Sequence, residues 1–456
     1  MPERPVVVVS NRGPLSFTLE DGELRTKKGG GGLVTALGPA IDGTGALWVA
    51  GALSEADRKA AAQGGVEAEG FNVDLLALDE DDYAAYYDVI SNGTLWFLHH
   101  ELWDIPRRPR FDRVWRQAWD AYRRVNQAFA DHVAEVAPDG AVVLVQDYHL
   151  ALMGEPLAAA RPDLALVHFH HTPFASPDAF RVLPVDAGEE LLRGLAAFRA
   201  CGFHNARWAA AFEACCAEVL GTTPATFVTP AEADADDIRA VAASAACATA
   251  GAALEEAVHD RRFIVRVDRI ELSKNIVRGF LAFDDLLRTY PEWRERVTFG
   301  AFVYPSREGL AEYQAYRQEV EGVIQRINAE WSTATWTPIL YDPQDDFPRS
   351  VAALQRYDVL LVNPVRDGLN LVAKEGLIVN ERDGVLALSR ESGVWAELDG
   401  IALEVHPFDV AGTADVLHRA LSMSTDERRA HAEAGRERVL RRTAIDWFGD
   451  QVAAGG

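Results

Sequence analysis

The stretch Val6-Val7-Val8-Val9, followed by Ser10-Asn11-Arg12-Gly13-Pro14, puts four β-branched apolar residues in a row and then a run of loop formers. A strand half-exposed to water alternates apolar with polar residues. An unbroken apolar run instead describes a strand covered on both faces, as in parallel sheets. Working outward, Leu47–Ala50 and Val73–Leu78 read as short strands, and Arg110–Ala137 as a long amphipathic helix. Ala141–Val145 and Leu164–Phe169 read as buried strands, and Asn205–Leu220 as a helix. Strand alternates with helix, which predicts a doubly wound α/β domain.

The Ala-rich, acidic run Asp234–Val258 reads as one helix, after which the alternation restarts. Strands are predicted at Phe263–Val267, Val297–Val303, Val359–Val362, Val385–Leu388 and Leu403–Val405. Helices are predicted at Ser273–Arg288, Glu308–Glu330, Leu371–Val379, Thr413–Ser422 and Asp426–Leu440. This gives two α/β halves with a seam near residues 225–260 and no internal repeat. The length, 456 residues, suits two or three domains, and 48% hydrophobic residues suffice for a large core.

A net charge of −24 repels phosphate backbones, so nucleic acid is a poor expectation. An anionic small substrate then requires a local cluster of cations. Cys201, Cys215, Cys216 and Cys247 lie in helical-looking, Ala-rich context without CxxC spacing, which fits a reducing cytosol better than a disulfide scaffold. Neither a signal peptide nor an apolar run of about 18 residues is visible, so a cytoplasmic chain without a membrane span is expected.

In open parallel sheets, ligands bind beyond the carboxyl ends of the strands, and the informative strings fall there. Gly29–Gly32 is a glycine loop opening an apolar run, suited to close backbone approach to an anion or a sugar oxygen. Gln146-Asp147-Tyr148-His149 places a carboxylate and an imidazole after a strand, for hydroxyl recognition or as a helix cap. In His168-Phe169-His170-His171, strand alternation separates His171 from His168 and His170, which argues against a metal set. At least one of His170 and His171 is expected to face a ligand.

Arg269 and Lys274 bracket a strand-to-helix junction, where two cations can flank a diphosphate. In Arg366–Glu375, Gly368 permits a tight turn that brings Asp367 and backbone N–H groups onto one ligand. Asp234-Ala235-Asp236 has the form of a metal-binding DxD but opens an Ala-rich helix, so N-terminal capping is the better reading.

In order, and over nearly the whole chain, these strings resemble the trehalose-6-phosphate synthase family, the retaining GT-B glycosyltransferases of family 20, in an actinobacterial-looking form. The strings are VSNRGP (Val9–Pro14), GGL (Gly31–Leu33), YYDVISNGTLW (Tyr86–Trp96), QDYHL (Gln146–Leu150), HTPFAS (His171–Ser176), RIELSK (Arg269–Lys274), YPSR (Tyr304–Arg307), WTP (Trp336–Pro338) and RDGLNLVAKE (Arg366–Glu375).

The resemblance implies a GT-B fold, two Rossmann-like domains facing across a catalytic cleft. Residues 1–230 would bind the acceptor, 231–440 the nucleotide sugar, and 441–456 would cross back to the first domain. It implies transfer of glucose from a nucleoside diphosphate to glucose 6-phosphate with retention, giving α,α-trehalose 6-phosphate. Arg12, Trp48, Tyr87, Trp96, Asp147 and Arg307 would meet the acceptor. Arg269, Lys274, Asp367 and His171 would stand at the reacting centre, with Gly32, Leu369, Asn370, Leu371, Val372 and Glu375 completing the donor site.

The implied partners are these small molecules alone, with no cofactor, metal, nucleic acid or membrane; oligomeric state is left open, a homo-oligomer included. Asp342, Gln344 and Asp345 could accept from a guanine edge, favouring GDP-glucose over UDP-glucose. The alternatives are a related transferase acting on glycerol 3-phosphate or a cyclitol phosphate, and a catalytically silent regulator. Two departures from the family pattern stand out: Pro230-Ala231-Glu232 replaces a Pro-Ile-Gly string, and Asn275 follows Lys274 where glycine is usual.

Overall fold

The computed structural model describes residues 4–20, 23–28, 37–38, 40–41 and 44–456. The chain divides into two compact units, one of Met1–Ala231 with Ala444–Gly456, the other of Glu232–Thr443.

The first unit is built on β1 (Val6–Ser10), the hairpin β2 (Leu15–Glu20) and β3 (Glu23–Lys28), β4 (Leu47–Ala52), β5 (Val66–Ala68), β6 (Phe71–Ala77), β7 (Val142–Gln146), β8 (Ala165–His170), β9 (Ala200–Phe203) and β10 (Thr226–Val228). Eight of these form one sheet in the order β10-β9-β8-β7-β1-β4-β6-β5, parallel except for β5. β1 is paired on both sides, Val8 lying between Trp48 and Leu144, and Val7, Val8 and Val9 are fully buried, as the apolar run requires.

The second unit holds β11 (Arg262–Ile270), β12 (Val297–Pro305), β13 (Ile339–Asp342), β14 (Val359–Val362), β15 (Val385–Ser389) and β16 (Leu403–Val405). Its sheet runs β13-β12-β11-β14-β15-β16, every pair parallel. Phe280, Phe283 and Phe299 pack edge-on at its core, with Val320, Ile324 and Leu417 in the same cluster.

Strand order reverses between β1 and β7 in the first sheet and between β11 and β14 in the second. Loops leaving adjacent strands there diverge to opposite faces and open a crevice, the usual ligand position in such sheets.

Several sequence expectations are corrected. Asp234–Val258 is two helices, Ala235–Ala242 and Ala245–Val258, bent by 63°. Ser244 breaks the run because its hydroxyl caps the second helix, accepting from Cys247 N. The acidic string there is indeed a cap: Asp234 Oδ1 accepts from the backbones of Asp236 and Asp237. Cys201 lies in a strand rather than a helix, and all four cysteines are free and buried. The closing helix is Ala444–Ala454, later than the two expected; its Trp447 is fully buried against Phe169, His171 and His204 of the first unit. Among the described residues no single helix is long and apolar enough to cross a membrane.

Candidate active site

In the first unit, the loop leaving β1 is clamped by tyrosines. Asn11 Nδ2 donates to Tyr83 Oη (3.1 Å), and Tyr86 Oη donates to Asn11 Oδ1 (3.1 Å). With Asn11 fixed, the exposed Arg12 lies over the Tyr87 ring, 5.5 Å from its centroid, and donates to Tyr87 Oη at 3.2 Å. Tyr86 and Tyr87 belong to a π-helix, Ala85–Leu95, which buries the first and leaves the second partly exposed. Such i→i+5 winding is uncommon outside functional segments. Trp96 follows it, stacked on His100 at 3.9 Å and tilted against Tyr148.

Trp48 is a correction: it is completely buried, its indole N–H donating to Ser10 Oγ (2.7 Å), while Ser10 Oγ donates to Arg12 O (2.7 Å). It supports the Arg12 loop from beneath and cannot line a ligand pocket.

Across the strand reversal, Asp147 follows β7 at φ 69°, ψ 168°, a region that side-chain-bearing residues rarely enter. Such strain costs on the order of 1–3 kcal/mol and is held only where surroundings enforce it. Here Asp147 Oδ1 accepts from the backbone N–H groups of Tyr148 (3.0 Å) and His171 (3.3 Å). His171 is partly exposed; its Nε2 lies 2.9 Å from Gln146 Oε1, and burial holds its imidazole neutral. His168 and His170 point the other way and are buried, so His171 alone of the three is placed to meet a ligand. Gly29–Gly32 and Leu33 lie outside the described residues.

Burial first, and second the repulsion that a protonated His171 beside it would add, push His168 down to about 3, and neither of its ring nitrogens makes a hydrogen bond. The unfolded chain takes up protons near pH 6.5, the native one only far below. Stability from these histidines is therefore complete above about pH 6.5 and falls as pH drops toward 3, by about 1.4 kcal/mol per pH unit for each group. Urea unfolding from pH 7.5 to 5 should show a falling midpoint, and His168→Leu should flatten the slope. A midpoint independent of pH over that range contradicts this.

In the second unit, β11 carries the half-exposed Arg269 one residue before its end and runs into a short turn carrying Lys274. Lys274 Nζ lies 2.5 Å from Asp367 Oδ2 and 3.9 Å from Asp268 Oδ1. Burial alone would lower its pKa, but Asp367, Asp268 and Glu271 outweigh it and keep the amine a cation. Asn275 answers the missing glycine: it adopts φ 60°, which Asn tolerates, and donates to Asn363 O and Pro407 O, away from Lys274.

The loop after β14 is shaped by backbone contacts. Asp367 and Ser392 form an isolated bridge, and Val394 N donates to Leu369 O at 2.9 Å. Asn370, at φ 90°, caps the helix Leu371–Val379 and donates to Asp367 Oδ2 (3.1 Å). Leu369 is buried, whereas Leu371 and Val372 are partly exposed at the helix start, where unpaired backbone N–H groups favour an anion. Glu375, one turn on, is pushed up to about 7 by burial first and Asp237 second. Among the described residues, no group of three or more His, Cys, Asp or Glu is arranged to hold a metal ion.

Arg307, expected with the acceptor residues, belongs to the second unit, and His171, expected with the donor, to the first. The two expected residue sets therefore do not follow the division into units. Three features escaped the sequence. Glu271 is completely buried within 3.2 Å of both Arg269 and Arg307. Gly393 sits against Gly368, where a Cβ would lie 1.8 Å from the Gly368 carbonyl oxygen. Glu232, in the altered linker string, makes a buried ion pair with Lys374 (2.7 Å), which also meets Glu397 (2.9 Å). Only the last had a signal, an unexpected acid where glycine is usual.

Two α/β units, each built on a largely parallel sheet with cationic side chains beside its strand reversal, define a protein of the GT-B fold class. The chain belongs to glycosyltransferase family 20, whose model matches residues 4–454. It is 31% identical to a bifunctional trehalose-6-phosphate synthase/phosphatase of Thermoproteus tenax, over 98% of this chain but 63% of that protein. It is 32% identical to a trehalose-6-phosphate synthase of Mycolicibacterium vanbaalenii, covering 97% and 94%. Its fold is similar to the crystal structure of a UDP-forming α,α-trehalose-phosphate synthase from Burkholderia xenovorans in complex with glucose-6-phosphate, with TM-score 0.85 and 29% identity, covering 98% of each chain.

Proposed function

We propose that this protein is a trehalose-6-phosphate synthase, moving glucose from a nucleoside diphosphate to glucose 6-phosphate with retention at the anomeric carbon. The observation that carries this reading is the pair of cation-bearing loops at the two strand reversals, Arg12 beside Tyr87 and Arg269 with Lys274, in a chain of net charge −24. One set suits a sugar phosphate, the other a diphosphate. Relatives whose names carry this activity support it.

Arg269, Lys274 and the first backbone N–H groups of helix Leu371–Val379 neutralise charge growing on the leaving diphosphate. Asp367, Asn370 and His171 hold glucose hydroxyls, and Glu375 holds the ribose. The acceptor hydroxyl attacks from the face the diphosphate leaves, giving its proton to a departing phosphate oxygen, so the protein's task is positioning and charge stabilisation. With two cations on the diphosphate, no divalent metal is required. Turnover should persist in EDTA; complete loss restored by Mg²⁺ or Mn²⁺ contradicts this. We place the reaction in the cytoplasm, in keeping with four free cysteines.

Arg12, Tyr87, Trp96, Asp147 and Arg307 take the acceptor. Arg12→Ala and Arg307→Ala are each expected to raise the KM for glucose 6-phosphate about tenfold or more while leaving donor KM within about threefold. Equal weakening toward both substrates in both variants contradicts the assignment.

For the donor, we favour GDP-glucose, with UDP-glucose second. Gln344 and the exposed Asp345 offer acceptors to a guanine edge. Asp342 does not: it is buried, paired with Arg349, and accepts from Gln344 N. Competition at equal concentrations tests the choice; a higher kcat/KM for UDP-glucose overturns it without touching the synthase reading.

A further inference from the structure

We infer that Glu271 is a positioning residue that fixes Arg269 and Arg307 through one buried carboxylate oxygen, tying the grip on the donor diphosphate to the grip on the acceptor phosphate. This deepens the synthase reading above and rests on its assignment of those two arginines.

The geometry is specific. Three donors converge on Glu271 Oε1: Arg307 Nη1 at 2.5 Å, Ser306 Oγ at 3.1 Å and Arg269 Nε at 3.2 Å. Glu271 is completely buried, Arg307 is 11% exposed, and Arg269 is 45% exposed. The register explains the meeting. β11 and β12 run parallel with Arg269 opposite Tyr304 and Ile270 opposite Pro305, so the residues just past both strand ends, Glu271 and Ser306–Arg307, emerge side by side. Arg307 is further held at φ 47° and against the Tyr313 ring.

Glu271 engages Arg269 through Nε, so the paired Nη groups, which best match a phosphate, are not the part it takes. Two guanidiniums on one side of a carboxylate repel each other, and its single charge offsets that repulsion. Each arginine is thereby oriented before any ligand arrives, which reduces what binding must spend on ordering a long side chain. Removing the charge frees both at once.

The test uses the full-length protein and the variants Glu271→Gln and Glu271→Asp. Calorimetry gives the Kd for GDP, UDP, glucose 6-phosphate and plain glucose; turnover gives kcat/KM with the two acceptors. Glu271→Gln is expected to weaken the better nucleotide and glucose 6-phosphate each about tenfold, to leave glucose unchanged, and to lower the preference for the phosphorylated acceptor by a similar factor. Glu271→Asp, with the charge kept on a shorter arm, should fall between. In an Arg307→Ala background the Gln change should cost no further acceptor preference, because its effect there runs through Arg307. These ratios report only on folded molecules, whatever fraction folds, and the Asp variant serves if the Gln variant does not accumulate. An unchanged preference and unchanged affinities, or equal losses toward glucose and glucose 6-phosphate, overturn the inference. Failure of the wild-type chain to glucosylate glucose 6-phosphate overturns the synthase reading instead, and the affinities still decide the role of Glu271.

Discussion

Arg269→Ala should cost roughly 3 kcal/mol of transition-state stabilisation, a rate loss on the order of a hundredfold, and the loss should fall on kcat more than on the acceptor KM. In the proposed reaction, charge on the diphosphate grows as the glycosidic bond breaks. A fixed cation there is worth more in the transition state than in the bound ground state. Arg269 is the half-exposed cation at the carboxyl end of β11, whereas Lys274 lies 2.5 Å from Asp367 and is shielded by it. Steady-state kinetics with saturating acceptor check this. Turnover within a few-fold of wild type would remove Arg269 from the leaving-group role.

Gly393→Ala is expected to be comparably damaging although Gly393 touches no substrate in the reading above. Its added Cβ would stand 1.8 Å from Gly368 O and 3.0 Å from Leu369 Cα. Both obstructing atoms are backbone, so no side chain can swing aside; the Asp367–Asn370 loop must move by about an ångström. Overpacking of this kind costs about 1–3 kcal/mol of stability. A displacement of about 1 Å in a positioning loop costs on the order of a hundredfold in rate. Melting and donor-dependent kinetics together measure it. A variant with unchanged donor kcat/KM would show that the loop's position is not set by the close approach of these two backbones.

The sequence and the structure agree where burial writes a continuous signal. Val6–Val9 and Val359–Val362 are apolar throughout because both faces of a central parallel strand are covered, and both are strands. Val66–Ala68 and Thr226–Val228, three residues each at sheet edges, leave too little pattern to find. The π-helix at Ala85–Leu95 has no periodicity that an α-helical or strand template would match. Ser244 was hidden by the alanines around it, since only its hydroxyl, engaged on Cys247 N, breaks the helix.

The candidate site divides in the same way. The strand-end placement of Arg269, Lys274 and Asp367 is legible because their short strings adjoin apolar strand runs, Arg269 at the last residue but one of β11 and the other two just past a strand. Trp48 reads as a pocket residue because a tryptophan supporting a loop from below and one lining a pocket look alike in a string; the structure buries it completely beneath the Arg12 loop. Glu271 and Arg307 are 36 residues apart, and only the parallel register of β11 with β12 brings them to 2.5 Å.

The most direct test of the central claim is incubation of the purified chain with glucose 6-phosphate and, in separate reactions, GDP-glucose and UDP-glucose, followed by mass spectrometry and proton NMR. The account predicts a disaccharide monophosphate from at least one donor, which phosphatase converts to a non-reducing sugar with both anomeric centres α. No transfer from either donor, or a product with a reducing end or a β linkage, would contradict it.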